Sequence, residues 1–396
     1  MTQRTRRLAA VAALALTMLV AGCITPSDPR LDDSDVDGWW SDTASSAVPP
    51  GSGPTAEPQG VPTPTAGDTD ATPAPPAAWT VEAVPAAEGV LNAIWIGDGN
   101  VIVGGFHGPT FSAAMLVFDG TSWSVGDVPT APGQVTGIAQ IGKRLIAVGN
   151  ELPEHRNGFI WESVDGRTWQ TVRTIENAAL YGVASGNGVI VATGARLDAE
   201  MNATAAAWTS TDGTAWKRAE VADGGGAAMG SVIATEQGFA ATGHRPFGED
   251  RPIWAATTAT SWTTRSNDLS GQLLLTDIVK WSDRLAVVGA VGKSGDQHPI
   301  VATSPDGRHW MTTRLSTAEG YASAVIVTDR QLTVAGMDAD RLTLWSLRND
   351  SWHSDTIEES GSSISALVWD PERGLIAVGA RDGRHAVWAL GGGSST

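Results

Sequence analysis

One unit of about 46 residues recurs along most of this chain, and this repeat limits the possible folds more than any other feature. Each copy contains a short apolar run that ends in glycine: Ile102-Val103-Gly104, Ala147-Val148-Gly149, Ala192-Thr193-Gly194, Ala241-Thr242-Gly243, Val287-Val288-Gly289, Val334-Ala335-Gly336 and Ala377-Val378-Gly379. A tryptophan recurs at constant phase to these runs, at Trp79, Trp123, Trp169, Trp216, Trp262, Trp310 and Trp352. Such a period predicts units that bury their apolar faces against one another.

The segments inside each unit have the chemistry of short β-strands. They are rich in Val, Ile, Ala and Thr and are separated by Gly and Asp turns, and no helical period of useful length occurs. Four short strands in a unit of roughly 40–50 residues are typical of a propeller blade. The sequence therefore predicts an all-β fold, a seven-bladed β-propeller.

The two ends of the repeat region predict how the ring closes. In three middle units a third-strand tryptophan precedes the fourth-strand one by eight residues, as in Trp161 and Trp169. The last unit has its third-strand Trp388 but no fourth strand, whereas Trp79 to Val84 forms a fourth strand with no unit before it. We expect this N-terminal strand to complete blade seven, because closure hides both free edges. The predicted propeller domain spans 79–391, followed by a tail at 392–396.

Residues 1–22 have the pattern of an export signal. A basic start is followed by Leu8 to Val20, an apolar stretch of 13 residues that is too short to span a bilayer. The segment Val20-Ala21-Gly22-Cys23 resembles the lipobox of bacterial lipoproteins. The resemblance implies cleavage before Cys23, acylation of Cys23 with palmitate-type chains, and anchoring to the cell membrane, facing outside the cytoplasm. The alternative is an ordinary secretory signal with an incidental cysteine.

Residues 23–78 are predicted to form a disordered tether after the lipidated cysteine. From residue 24 the segment holds 11 of the 21 prolines and nine acidic residues against one arginine, and this composition cannot bury a core. Within it, Trp39-Trp40 could be a docking motif or could rest on the membrane or the propeller. The net charge of the chain is −17, which disfavours nucleic acid as a partner.

Four predicted turns between third and fourth strands carry an Asp-Gly pair: Asp119-Gly120, Asp165-Gly166, Asp212-Gly213 and Asp306-Gly307. Asp-Gly favours tight hairpins, because the carboxylate accepts turn hydrogen bonds and glycine supplies a positive φ. With the tryptophan that follows, these turns resemble the Asp-box, or bacterial neuraminidase repeat, of sialidase-like propellers. In the commonest family pattern one residue separates Asp from Gly, so this is a variant. The resemblance implies a structural role for Asp119, Asp165, Asp212 and Asp306.

A sialidase-like activity would require further residues that the resemblance names. That site uses three arginines around a carboxylate, a tyrosine activated by a glutamate, and an aspartic acid. No Arg-Ile-Pro segment occurs near the first blade, and only Tyr181 and Tyr321 could supply the nucleophile. Glu319 lies near Tyr321, and Asp277 occupies a first-strand position that is small in other blades, so its carboxylate faces either the channel or a neighbouring arginine. Tyr321, Glu319 and Asp277 are the catalytic candidates.

The loops between second and third strands are long and charged. They carry the candidate binding residues His107, His155, Arg156, Arg196, His244, Arg245, Arg251, His298, Arg381 and Arg384. Such a set is either a binding face or a solvated rim. The histidines come from separate blades without metal-ligand spacing, so neither a metal nor a cofactor is expected.

We therefore expect a membrane-anchored binding or scaffold module, monomeric, whose partner is an envelope protein or a glycan. An exo-sialidase-like glycoside hydrolase with a divergent site is the alternative, and a structural spacer is a third.

Overall fold

The computed structural model describes residues 79–391 except 130–131, 246–251, 266–267, 270–272, 294, 330 and 359. The predicted signal peptide, Cys23, Trp39-Trp40, Arg251 and the tail at 392–396 lie outside the described residues. Within these limits no helix is long and apolar enough to cross a membrane. The described residues form seven antiparallel sheets, in agreement with the predicted all-β, seven-bladed propeller.

Blades are numbered from the first complete sheet, and each is built from four strands in chain order. Blade 1 contains β2 (Gly89–Gly97), β3 (Asn100–His107), β4 (Ser112–Phe118) and β5 (Trp123–Val125). Blade 2 contains β6 (Gln134–Ile141), β7 (Arg144–Asn150), β8 (Asn157–Ser163) and β9 (Gln170–Glu176). Blade 3 contains β10 (Ala178–Gly186), β11 (Val189–Leu197), β12 (Ala203–Ser210) and β13 (Lys217–Arg218).

The remaining blades follow the same order, with two variations. Blade 4 contains β15 (Ala228–Thr235), β16 (Gly238–His244), β17 (Ile253–Thr258) and β18 (Ser261–Arg265), and β14 (Glu220–Val221) adds to it in parallel. Blade 5 contains β19 (Leu273–Trp281), β20 (Arg284–Val291), β21 (His298–Ser304) and β22 (Met311–Arg314). Blade 6 contains β23 (Gly320–Thr328), β24 (Gln331–Asp338), β25 (Arg341–Arg348) and β26 (Ser351–Glu358). Blade 7 contains β27 (Ser362–Asp370), β28 (Gly374–Arg381), β29 (Arg384–Leu390) and β1 (Trp79–Val81).

The N-terminal strand β1 closes the ring, as the sequence predicts. It pairs antiparallel with β29, with Thr80 opposite Ala389. Just beyond it, the Glu82 carboxylate forms an ion pair with Arg373 of blade 7 and accepts a hydrogen bond from the Trp123 indole N–H of blade 1 at 2.5 Å. Glu82 therefore connects blade 7 to blade 1.

The core is divided into layers between consecutive blades. One cluster joins blades 1 and 2 around Trp161, and corresponding clusters follow at each later junction. The cluster containing Leu91, Ile376 and Val387 joins blade 7 to blade 1, so the apolar packing is also continuous around the ring. Each blade is therefore stabilised mainly by burying apolar area against its two neighbours.

A β-bulge interrupts the first strand of every blade at the same place. The repeated glycine lies opposite the residue that precedes the bulge, as Gly289 lies opposite Leu275. At six of the seven glycines, a Cβ atom would stand 1.7–2.0 Å from a first-strand carbonyl oxygen. In blade 1 the equivalent residue is Gly105 and not Gly104, because Gly105 lies opposite Leu91 and faces the carbonyl of Val90.

The antiparallel strand order gives the ring two distinct faces. The turn face carries the turns from first to second and from third to fourth strands. The loop face carries the loops from second to third strands and the connections between blades. The two names are used in this sense below.

Candidate functional site

The Asp-Gly turns are self-contained structures on the turn face. In blade 2 the Asp165 carboxylate accepts hydrogen bonds from the backbone N–H groups of Arg167 and Thr168, both at 2.8 Å, and from the hydroxyl of Ser163. These donors hold the pKa of Asp165 below its usual value. Asp212 and Asp306 make the same contacts in blades 3 and 5, and Asp119 accepts from two turn N–H groups in blade 1. The hydrogen bonds of these carboxylates therefore stabilise the turns.

Three of the six predicted binding arginines form hydrogen bonds or ion pairs within the loop face. Arg196 donates to the carbonyl of Asn177, and Arg245 donates to the carbonyl of Asp223 at 2.7 Å. Arg381 forms an ion pair with Glu358 at 2.8 Å. Asn177 and Asp223 lie in the segments that lead into the same blade as their arginine, and Glu358 is the last residue of β26 in the preceding blade. These three arginines therefore stabilise the connections between blades, and they do not converge on one binding site.

Three of the predicted histidines are also part of the loop-face framework. His298 contacts the Ala318 carbonyl at 2.8 Å through Nδ1 and Asp296 at 3.3 Å through Nε2. His385 is buried and donates from Nε2 to the carbonyl of Phe106, and burial lowers its pKa. His155 is buried too, with a pKa lowered by burial. His244, at the end of β16, is half-buried.

His107, Arg156 and Arg384 are different, because all three are exposed on the loop face. None of them forms a side-chain hydrogen bond or ion pair within the described part of the chain. They belong to blades 1, 2 and 7, which are consecutive around the closed ring. We call this set the loop-face arc. Glu88 and Glu154 are exposed on the same face, so the arc presents both signs of charge.

The weak catalytic candidates do not form an accessible site in the described residues. Tyr321 is 7% exposed and Tyr181 is 5% exposed. Glu319 is exposed, and its backbone carbonyl accepts a hydrogen bond from the N–H of Ala339. A nucleophile for a glycoside must be reached by the substrate, and the ring of Tyr321 is almost fully covered.

Asp277 connects three blades through its carboxylate. It accepts hydrogen bonds from the Ser231 hydroxyl of blade 4 at 2.7 Å, from the N–H of Val325 in blade 6 at 3.0 Å, and from the N–H of Ile278. The carboxylate is half-buried and acts as an acceptor between first strands, and the donors to it in the described part of the chain are a hydroxyl and two backbone N–H groups. Burial raises the pKa of Asp277 above its ordinary value of 3.8, despite these three donors.

This raised pKa predicts a pH-dependent contribution to stability. The pKa of Asp277 is higher in the folded protein than in the unfolded chain, where it stays near 3.8. When the pH falls from neutral toward 3.8, the folded protein therefore takes up this proton first, and the uptake stabilises the folded state. We expect the free energy of unfolding of the wild type, relative to Asp277→Asn, to increase as the pH falls from 7 toward 4. Urea unfolding of both proteins at each pH measures this difference. A difference that is constant or that decreases would contradict the assignment.

Sequence reasoning missed the hydroxyl and amide groups that join first strands across blades. The Thr136 hydroxyl lies 3.0 Å from the carbonyl oxygen of Leu180 in the next blade, and the Thr276 hydroxyl lies 2.8 Å from that of Ala322. The Gln134 side chain connects Asn92 of blade 1 to Asn150. The available signal was a polar residue within an apolar first strand, which marks a bulge only once the register is known.

Among the described residues, no group of three or more His, Cys, Asp or Glu side chains could hold a metal ion. The loop-face arc contains two guanidinium groups and an imidazole, which can form hydrogen bonds and ion pairs with a partner.

Comparisons with known proteins support the fold. No protein-family model matches the sequence, and no curated protein matches it either. A chain in the crystal structure of the mitotic checkpoint complex superimposes with a TM-score of 0.52 and 14% identity, over 76% of this chain and 90% of that one. The β-propeller domain of the Trilobed protease from Pyrococcus furiosus, described as having an open velcro topology, gives a TM-score of 0.48 and 9% identity over 76% and 93%. At 14% identity the first similarity concerns the fold alone.

Proposed function

We propose that this chain is a lipid-anchored propeller outside the cytoplasm that binds an envelope protein or a glycan through the loop-face arc. The closed β-propeller supports a binding or scaffold role in general. Lipidation at Cys23 is supported by the sequence Val20-Ala21-Gly22-Cys23 alone. The anchored location and the class of partner are both part of the proposal.

The likeness to Asp-box propellers also belongs to this proposal. It is supported by the shared hydrogen bonds of the Ser163, Ser210 and Ser304 turns, in which an aspartate accepts from two successive N–H groups. The proposal contains no hydrolytic step, because the ring of Tyr321 is buried.

The exposed arc is the observation that carries the binding role. In a chain with 43 acidic and 26 basic residues, Arg156 and Arg384 lie in blades 2 and 7, on either side of blade 1. Their guanidinium groups are exposed and form no hydrogen bond or ion pair among the described residues. Guanidinium groups bind carboxylates and phosphates in a bidentate manner. A partner with anionic groups, either on an acidic protein surface or on a carboxylated glycan, fits this arc.

Reversing the charge of the arc should weaken binding to the envelope. In the non-acylated Cys23→Ser chain, we expect Arg156→Glu with Arg384→Glu to reduce the affinity for isolated envelope fragments about tenfold, or roughly 1.4 kcal/mol. Sedimentation of labelled protein with the fragments measures the affinity. Protease treatment and glycan digestion of the fragments then distinguish a protein from a glycan partner.

The matched control carries the same charge change away from the loop face. Lys217→Glu with Arg218→Glu alters two exposed residues of the outer strand β13. The control should bind as the unchanged chain does. Equal binding by the arc variant and the control would refute the assignment of the arc.

A further inference from the structure

Two buried histidines adjoin the two arginines of the loop-face arc. His155 directly precedes Arg156 in the loop between β7 and β8 of blade 2, and His385 directly follows Arg384 in β29 of blade 7. His155 and His385 are 4% and 7% exposed, whereas both arginines are exposed. Each arginine of the arc therefore lies next to an imidazole that water barely reaches.

The imidazole of His155 is buried without polar contacts. Its Nδ1 and Nε2 atoms have no hydrogen-bond partner among the described residues. A neutral imidazole carries one donor and one acceptor nitrogen, so both groups are left unsatisfied. The backbone of His155 also has a positive φ of 54°, which is uncommon outside glycine. Burial favours the neutral ring and lowers the pKa of His155, although the neighbouring Glu154 acts in the opposite direction.

The second histidine, His385, has one satisfied nitrogen and one unsatisfied nitrogen. Nε2 donates to the carbonyl oxygen of Phe106 in blade 1 at 2.8 Å, and Nδ1 is buried without a partner in the described part of the chain. With Nε2–H as the donor, a second proton would bind at Nδ1, where no acceptor is present. Burial lowers the pKa of His385, and the nearby His107 lowers it too.

The charged groups around the two rings do not provide a counter-ion for an imidazolium. Glu154 is exposed, and Glu151 accepts a hydrogen bond from the Asn157 side chain at 2.9 Å. Within the described residues, no carboxylate contacts a nitrogen of His155 or the Nδ1 atom of His385. The charged residues on the adjoining elements are Glu176 and Arg196 beside the start of blade 3, and Glu88, Arg381 and Asp382 beside His385.

We propose that protonation of His155 and His385 opens the two loop-face segments that carry Arg156 and Arg384, so that acid disassembles the loop-face arc. We call residues 151–157 the blade 2 segment and residues 381–385 the blade 7 segment. A charged imidazole requires acceptors or water at its N–H groups, and neither buried site supplies them. Opening exposes the ring to water and displaces the arginine beside it. The loss of partner binding rests on the proposed function of the arc, whereas the opening itself does not.

The direction and size of the effect follow from the two pKa values of each ring. The closed segment holds the histidine pKa below 6.5, and an opened segment returns it to about 6.5. The closed form is therefore favoured above pH 6.5, and each pH unit below this value shifts the equilibrium toward the open form by up to about tenfold per histidine. Between pH 7.5 and 5.0 we expect opening to increase up to roughly thirtyfold.

Amide hydrogen exchange of the full, non-acylated Cys23→Ser chain tests the opening without any partner. Mass spectrometry compares the blade 2 and blade 7 segments at pH 7.5 and 5.0, with the intrinsic effect of pH on exchange removed. We expect exchange in both segments to increase by about tenfold or more, while β20 of blade 5 stays unchanged. Unchanged exchange in the two segments, or an equal increase in β20, would overturn the proposal.

Two variants that cannot titrate assign the effect to each histidine. Asparagine tolerates a positive φ, so His155→Asn suits the blade 2 segment, and His385→Gln keeps an N–H donor for the Phe106 carbonyl. Each variant should remove the acid-dependent increase in its own segment and keep it in the other, which also shows that the ring is folded. The ratio between the two pH values is compared, so a looser segment at neutral pH does not affect the result.

The matched control removes a histidine from outside the loop face. His353 is exposed on the outer strand β26, and His353→Gln should show the same increase in both segments as the unchanged chain. Loss of the increase in this control, or its persistence in the segment of a substituted histidine, would contradict the proposal.

Affinity for isolated envelope fragments separates this proposal from the proposed function. The unchanged ring should bind about fivefold or more weakly at pH 5.0 than at pH 7.5, and the double variant His155→Asn with His385→Gln should lose no affinity. Opening without a loss of affinity would overturn acid control of the arc. Absence of binding at both pH values would instead refute the proposed function, and the exchange result would still decide whether the segments open.

Discussion

Gly289→Ala should prevent the ring from packing correctly and lower its free energy of unfolding by about 3 kcal/mol or more. The added Cβ atom would stand 1.7 Å from the carbonyl oxygen of Leu274, and this oxygen belongs to the backbone of the first strand of the same blade. Neither group can turn away, because the bulge at Leu275 fixes the strand. Folded domains are stable by only about 5–15 kcal/mol, so the loss is a large share of the total.

Gly225→Ala is the matched control. Gly225 lies in the connection between blades 3 and 4, and nothing stands within 4 Å of a Cβ atom built there. This variant should unfold at the same urea concentration as the wild type or slightly higher. Tryptophan fluorescence follows both transitions. If Gly289→Ala and Gly225→Ala unfold at the same urea concentration, the described geometry of the bulge is wrong.

After a high-salt wash that weakens the ion pairs of the loop-face arc, Cys23→Ser should move the protein almost completely from the membrane fraction to the soluble fraction. Acyl chains on Cys23 are proposed to supply the attachment, and two or three chains hold a protein on a bilayer stably. Without the thiol there is no acceptor for the first lipid, and the acidic chain has no electrostatic attraction to anionic headgroups. Immunoblotting of membrane and soluble fractions from the expressing cells measures the distribution.

Ser27→Ala changes a hydroxyl close to the predicted cleavage site and serves as the control, because it leaves Cys23 in place. It should stay in the membrane fraction. Retention of Cys23→Ser on the membrane would show that another element provides the attachment and would remove the anchor from the proposal.

Most of the fold could be predicted from the repeat. Glycine and tryptophan recur because each has a fixed structural position, the glycine against a first-strand carbonyl and the tryptophan at a turn or at a blade junction. The position of Trp79 and Trp388 sufficed to predict closure by β1. The assignment of Gly104 in place of Gly105 was wrong, because two adjacent glycines give the pattern no means to locate the bulge.

The candidate sites were less predictable. The sequence shows which loops carry charged residues, but it does not show which groups their long side chains contact. Arg196 and Arg245, for example, donate hydrogen bonds to nearby backbone carbonyl groups.

We propose that a lipid at the N-terminus holds this propeller at a membrane, outside the cytoplasm. Intact-mass and peptide mass spectrometry of the mature protein extracted from membranes tests it directly. We predict a chain that begins at Cys23 and carries a diacylglyceryl group on the thiol, with or without a further acyl chain on the new amino group. A mature chain with an unmodified Cys23 thiol, or one that begins elsewhere, would refute lipid attachment at Cys23.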